Sequence, residues 1–200
     1  HELRSPLTRI RMGLELMGGN QPSPAFREEI LRNIAELDQL VDEILLASRL
    51  DAREADVGTV ELVDLIGLAA EECARVDAEL DVTAVPEGLE VRGVAKLLRR
   101  ALRNLLENAR RYSQGDITVV LQRHDGQAQV SVLDRGPGVP PALRERIFEP
   151  FYRLPGASER AGGVGLGLAL VRSIAQRHNG SVRCEDQPDG SGGACFVLRL

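Results

Sequence analysis

Apolar positions along the first fifty residues recur at helical spacing. Leu3, Leu7, Ile10, Leu14 and Met17 stand 4, 3, 4 and 3 residues apart, which lays them along one seam of a helix. The stretch GGNQPSPAF (18–26) then brings glycines, Asn20 and two prolines, so the helix stops and a turn follows. Ser23 can cap a second helix, with Pro24 at its first position. In that helix Ile30, Ile34, Leu37, Val41, Ile44 and Ser48 carry another seam, flanked by Leu40, Leu45 and Leu46. An apolar face of this width exceeds what a two-helix hairpin buries. A second copy completing a four-helix bundle would cover the rest. Packing against the remainder of the same chain is the alternative.

From residue 58 the period shortens. TVELV, LDVTAV, LEVRGV, DITVVLQRH, QAQVSVLD, GSVRCED and GACFVLRL read as strands, and helices are predicted near 64–76, 94–112 and 165–179. Asp125-Gly126 sits between two alternating runs and marks a tight hairpin turn. Strands in hairpins mixed with helices predict an α/β sandwich, one mixed sheet covered by helices on one face. The fold class is therefore α+β, a helical hairpin over residues 1–52 followed by an α/β domain over 58–200, with DAREADVG (51–58) as the linker.

Composition narrows the function. The chain has 200 residues, 43% of them hydrophobic and 28% charged, which is ordinary for a soluble protein. Its net charge of −5 argues against general nucleic-acid binding. With no Trp and only four Phe and two Tyr, a base-stacking platform is not expected. No apolar run approaches the roughly 18 residues that cross a bilayer, and no secretory signal pattern is present. Any membrane-contacting part is expected outside this chain. Cys73, Cys184 and Cys195 show neither disulfide-framework nor zinc spacing and read as reduced thiols.

Three polar motifs carry the candidate chemistry. DRGPGVP (134–140) follows the strand QVSVL, so a carboxylate, Asp134, stands at a sharp turn with Gly136 and Gly138 behind it. Such an Asp can accept from an adenine amino group; a plain Asx turn reads equally well. GGVGLGLALV (162–171) is a glycine-rich loop running into an apolar helix, and backbone N–H groups at a helix start suit phosphate. Its spacing is not that of a dinucleotide fold. It is not a Walker loop either, because the only lysine, Lys96, lies elsewhere. In RALRNLLENARRYS (100–113), Leu98, Ala101, Leu102, Leu105 and Ala109 form a buried stripe, with Asn104, Asn108 and Arg111 along one flank. An Asn oxygen is a neutral hard ligand suited to Mg²⁺; a solvated helix edge is the bland alternative. After FEPFYR, the small polar stretch LPGASERAG (154–162) reads as a mobile lid.

Together these pieces resemble the sensor histidine kinases of two-component systems. HELRSPLT resembles the H-box, NLLENARRY the N-box, DRGPG the first G-box, FEPF the F-box and GVGLGL the second G-box, all in the family's order and covering essentially the whole chain. The resemblance implies a dimerisation and phosphoacceptor hairpin joined to a GHKL-type ATP-binding domain. It implies ATP and Mg²⁺ as cofactors, a homodimer, and a response regulator as partner. It also implies the cytoplasmic portion of a bacterial inner-membrane sensor. His1 becomes the phosphoacceptor. It lies about 160° around the helix from the Leu3–Leu7 seam and so faces outward, and Glu2 beside it can orient the ring or take its proton.

By the same carry-over Asn108 binds Mg²⁺ with Asn104 close by, and Arg111 and Tyr112 face the phosphates. Asp134 holds adenine, supported by Gly136 and Gly138. Gly163, Gly165, Gly167 and Leu168 line the phosphate loop, and Arg160 in the lid is placed near the γ-phosphate. Many relatives carry Thr or Asn where this chain has Ser5, so phosphatase activity is expected to be weak. Another GHKL ATPase of the protein serine kinase type, or a catalytically decayed scaffold, are the competing functions.

Overall fold

The computed structural model describes residues 24–52, 57–113, 115–154 and 165–200. Two compact units divide the chain, residues 1–48 and 49–200. The first helix of the predicted hairpin, Ser23 and the lid stretch from residue 155 lie outside the described residues.

Helix α1 spans Pro24–Asp51. Its seam does not run quite where the heptad reading put it. Leu40 is buried and Ile30, Leu37 and Ile44 are half-buried, but Ile34 and Val41 are exposed. With Leu31 and Leu45 they form a second apolar line, spaced by three, seven and four residues and set about a quarter turn around the helix from the buried one. A stripe wider than one neighbour can cover splits in this way: one edge is buried and the other is left over.

The second unit begins with a two-stranded ribbon, β1 (Glu61–Asp64) antiparallel to β3 (Glu90–Gly93). It stands apart from the main sheet, so the single sheet expected from the sequence is in fact two. The cause is local. Each ribbon strand buries one residue, Val63 and Gly93, which is too little apolar surface for a place inside a sheet. Asp64 ends β1 and also caps α2 (Leu65–Val76), its Oδ1 accepting from Ile66 N at 2.9 Å.

The main sheet has the order β2-β4-β5-β7-β6, with β2 Glu79–Asp81, β4 Thr118–His124, β5 Gln127–Leu133, β6 Ser181–Glu185 and β7 Cys195–Arg199. β2 pairs parallel with β4, and the other neighbours are antiparallel. Asp125 (φ 51°) and Gly126 (φ 80°) turn β4 into β5, the two left-handed residues that a tight hairpin of type I′ needs. The registers put Val119, Leu121, Val130, Val132, Phe196, Leu198 and Cys184 on one face. Against the sheet pack α2, α3 (Ala95–Tyr112) and α4 (Gly167–Arg177). Phe148, in a short 3₁₀ turn, meets Phe196 edge-on at 6.4 Å between ring centres.

Polar ties hold the helical layer. Glu72 of α2 is buried, and Arg103 of α3 grips it with Nε at 2.9 Å and a terminal nitrogen at 2.8 Å. Arg99, one turn earlier on α3, adds a bond of 3.1 Å. At the far end His178 closes the layer: its Nε2 accepts from Val94 N at 3.0 Å, so Nδ1 donates to the Ile174 carbonyl at 2.8 Å. Gly93 leaves the room for that ring, since a Cβ there would stand 2.7 Å from it.

All three cysteines are free and buried. Cys184 lies opposite Phe196 and Cys195 opposite Glu185, so these two thiols project to opposite faces of the sheet. Burial pushes Cys73 up to about 11, Cys184 to about 12 and Cys195 to about 11. Since the thiolate is the reactive form, the folded chain should take up no iodoacetamide in an hour at pH 8 and should label fully in guanidinium. Mass spectrometry reads this directly, and rapid labelling of the folded chain would refute it.

Candidate functional site

Three stretches of the second unit meet at the C-terminal half of α3. Burial falls away along its polar flank: Asn104 is buried, Asn108 half-buried and Arg111 exposed. The row therefore climbs from the interior to the surface. Asn104 is no solvated edge, because its Nδ2 donates to the Gly167 carbonyl at 3.1 Å and so ties α3 to the first residue of α4. Asn108 is left on the open part of the flank, with Tyr112 half-buried one turn further on.

The second glycine motif enters here. Gly165 has φ 78°, and a Cβ on it would come within 2.9 Å of the Phe151 and Tyr152 backbone. Its carbonyl accepts from Phe151 N at 3.0 Å. Conformation and crowding both require glycine at this point. Leu166, at the N-cap of α4, offers no side-chain acceptor to the first turn. The early N–H groups of an eleven-residue helix thus lack a side-chain cap, with half-buried Gly167 and Leu168 beside them.

The first glycine motif supplies the third wall. Asp134 follows β5 directly and is 3% exposed. Its Oδ1 accepts from Gly136 N at 2.8 Å and from Ala194 N at 3.3 Å. No described residue donates to Oδ2. Burial drives the carboxyl above its ordinary range, opposed by the two N–H donors. The glycines of this turn serve the chain's own packing. A Cβ at Gly136 would stand 2.7 Å from the Tyr112 carbonyl, and one at Gly138 (φ 73°) would stand 2.9 Å from the Gly193 carbonyl. Ser113, just past α3, accepts from Arg135 N at 3.0 Å and fastens the turn to the helix end.

Asn104 with Gly167, and Tyr112 with Gly136 beside Asp134, are thus brought together. His1, Glu2, Ser5, Arg160 and Gly163 lie outside the described residues. Gln187, Gly193 and Ala194 touch the site although no motif marks them, and Ser113 does so from the last position of the stretch 100–113. The only hint is the turn-rich run DGSGGA (189–194).

Residues 93–200 match the family model of histidine kinase-, DNA gyrase B- and HSP90-like ATPases, and residues 1–53 match that of the His kinase A phospho-acceptor domain. The sensor histidine kinase CpxA of Escherichia coli K12 is 37% identical over 196 residues, covering 95% of this chain and 43% of CpxA. The chain therefore spans less than half the length of that relative. Among solved structures, the mycobacterial sensor histidine kinase MprB superposes with a TM-score of 0.61 at 32% identity, covering 71% of this chain and 97% of the other. Histidine kinase ThkA, solved in complex with the response regulator protein TrrA, shares the fold with a TM-score of 0.72 at 22% identity, over 100% of this chain and 58% of the other. With its ATPase model matched over more than half of its length and its phosphoacceptor model over the rest of the motif-bearing region, the chain belongs to the sensor histidine kinase family.

Proposed function

We propose that this chain moves the γ-phosphoryl group of ATP onto His1 and then onto an aspartate of a response regulator. The observation that carries the nucleotide half is Asp134, a buried carboxylate with one oxygen held by two backbone N–H groups and the other without a donor among the described residues. A buried acceptor of that kind suits the exocyclic amino group of adenine. The uncapped start of α4, with Gly165 and Gly167, suits the phosphates, and Arg111 and Tyr112 flank them. Among the described residues no group of three or more His, Cys, Asp or Glu could hold a metal ion. The triphosphate would carry Mg²⁺, and the Asn108 amide oxygen would be its protein ligand.

The chemistry is in-line transfer. A ring nitrogen of His1 forms the N–P bond while the bond to the β,γ-bridging oxygen breaks and ADP leaves with the electron pair. Glu2 takes the ring proton. A regulator carboxylate then attacks the phosphorus and the N–P bond breaks. ThkA's partner TrrA supports a response regulator as the acceptor. The exposed line Leu31, Ile34, Val41 and Leu45 supports self-association of α1 as a homodimer. No described helix is long and apolar enough to cross a membrane. The relatives' names as sensors support reading the chain as the cytoplasmic portion of one. Ser5, in the place where many relatives have Thr or Asn, supports weak phosphatase activity.

Thermal shift tests the nucleotide site. ATP with Mg²⁺ at about a hundred times its Kd should raise the melting temperature by roughly 5–10 °C. In Asn108→Ala the increment that depends on Mg²⁺ should vanish. If Asn108→Ala keeps that increment, the metal role falls.

A further inference from the structure

The connection between β6 and β7, residues 186–194, grips the Asp134 turn from three sides. In the interior, Gln187 is 4% exposed, and its Nε2 donates to the Asp134 carbonyl at 2.5 Å and to the Ala194 carbonyl at 3.4 Å. On one outer side Arg135 reaches Asp189 at 3.4 Å and also Ser191. On the other, Arg144 donates from Nε to the Val139 carbonyl at 3.1 Å and pairs with Asp186. The same connection returns two backbone bonds: Asp134 N donates to the Ala194 carbonyl at 3.0 Å, and Ala194 N donates to Asp134 Oδ1 at 3.3 Å. Gly193 (φ 123°) is the point of closest approach, where any Cβ would collide with the Asp134 carbonyl.

Every polar atom of Asp134 except Oδ2 is therefore fixed by this connection or by Gly136. With Oδ1 pinned by two donors, the carboxylate cannot turn about its Cβ–Cγ bond, and the direction of Oδ2 follows from where the backbone is held. Among the described side chains only Gln187 holds that backbone from within. A buried primary amide would be a poor choice for filling space alone, since each of its donors needs a partner.

We propose that the β6–β7 connection, through Gln187, positions Asp134 for reading the base, so that Gln187 sets the preference for a 6-amino purine without touching it. This rests on the reading of Asp134 as the acceptor for the adenine amino group. The experiment compares binding of ATP and inosine triphosphate, which lacks the amino group, by calorimetry with Mg²⁺ in the parent chain and in Gln187→Met. The parent should prefer ATP by about 10- to 100-fold, the loss of one hydrogen bond to a charged group. Gln187→Met keeps the side chain's length and removes its donors; its preference should fall to less than about threefold, chiefly through weaker ATP binding. A lower melting temperature with the preference intact would make Gln187 a structural residue only and overturn the proposal. A parent with no preference would instead refute base reading by Asp134, and the inference with it. Should Gln187→Met fail to fold, Arg135→Ala combined with Arg144→Met releases both outer ties. An undiminished preference there overturns the proposal as well.

Discussion

Asp134→Asn should raise the melting temperature of the nucleotide-free chain and remove its response to ATP. The two effects have one cause. Asn keeps the Oδ1 acceptor for Gly136 N and Ala194 N but no longer buries a charge. In the parent this carboxyl is 3% exposed, and burial raises its pKa. Relief of that penalty raises the melting temperature wherever the parent's carboxyl is ionised. In place of the free Oδ2 the variant presents an NH₂ group to the adenine NH₂, donor against donor, so ATP should bind about 100-fold more weakly. The pH dependence follows from the sign of the shift. A carboxyl whose folded pKa lies above its unfolded value of about 3.9 gives most stability below that value and loses it as pH rises through the folded pKa. The variant's advantage should therefore be small near pH 4, open across the raised folded pKa and level off above it. Thermal unfolding of both chains from pH 4 to pH 8 measures this; an advantage that does not change with pH would contradict it.

Glu72→Ala should be among the most destabilising single changes in the second unit. It leaves the fork of Arg103 without the carboxylate it grips and takes from Arg99 one of its two acceptors, Glu71 being the other. Removing one partner of a buried ion pair costs roughly 3–5 kcal/mol; the arginines are 29% and 37% exposed, so the lower end applies. The melting temperature should drop by about 10 °C. The Arg103 bonds, and then that from Arg99, hold the Glu72 carboxyl below its usual range against the opposing effect of burial. Its contribution is present above the ordinary Glu value of about 4.3 and is lost as pH falls through the depressed folded pKa. The gap between parent and variant should thus narrow only below about pH 4. A replacement of Glu72, Arg99 and Arg103 together by Leu, Leu and Met should recover much of the loss, because the charges left behind, Glu71 and Arg75, are exposed to water. Equal destabilisation of the single and triple variants would show that packing, not the unpaired arginines, sets the cost.

How much of this could be read from the chain depends on whether a feature is local. The hairpin at Asp125-Gly126 is fixed by two left-handed residues adjacent in sequence, and it forms at that dipeptide. The stripe of α3 is a period of one helix, and Leu98, Ala101, Leu102, Leu105 and Ala109 are all buried. The ribbon was less legible. TVELV and LEVRGV look like any other strand, and their separation from the main sheet depends on how little each buries. On α1 the heptad pattern marked the apolar positions but not which edge of the stripe is buried, since that depends on a neighbour outside the helix.

The site divides in the same way. Asp134 and its glycines announced a turn by their spacing, and both the Asx bond to Gly136 and the positive φ at Gly138 are present. What spacing could not show is that Gly136 is needed by the Tyr112 carbonyl and Gly138 by the Gly193 carbonyl. Asn104 announced itself as a polar residue on a helix flank, but its tie to Gly167 crosses 63 positions. Gln187 gave no signal at all, because its partner is a backbone carbonyl 53 residues away and backbone atoms leave no trace in a sequence pattern.

One experiment bears on the phosphotransfer reading above all. The protein carrying residues upstream of His1 is incubated with γ-labelled ATP and Mg²⁺, beside His1→Gln and Asn108→Ala, and the label is tested for stability in acid and in base. Label that is acid-labile and base-stable in the parent, and absent from both variants, is the expected result. ATP binding without such label in the parent, or label that survives in His1→Gln, would remove His1 from the reaction and leave a nucleotide-binding domain with a different acceptor.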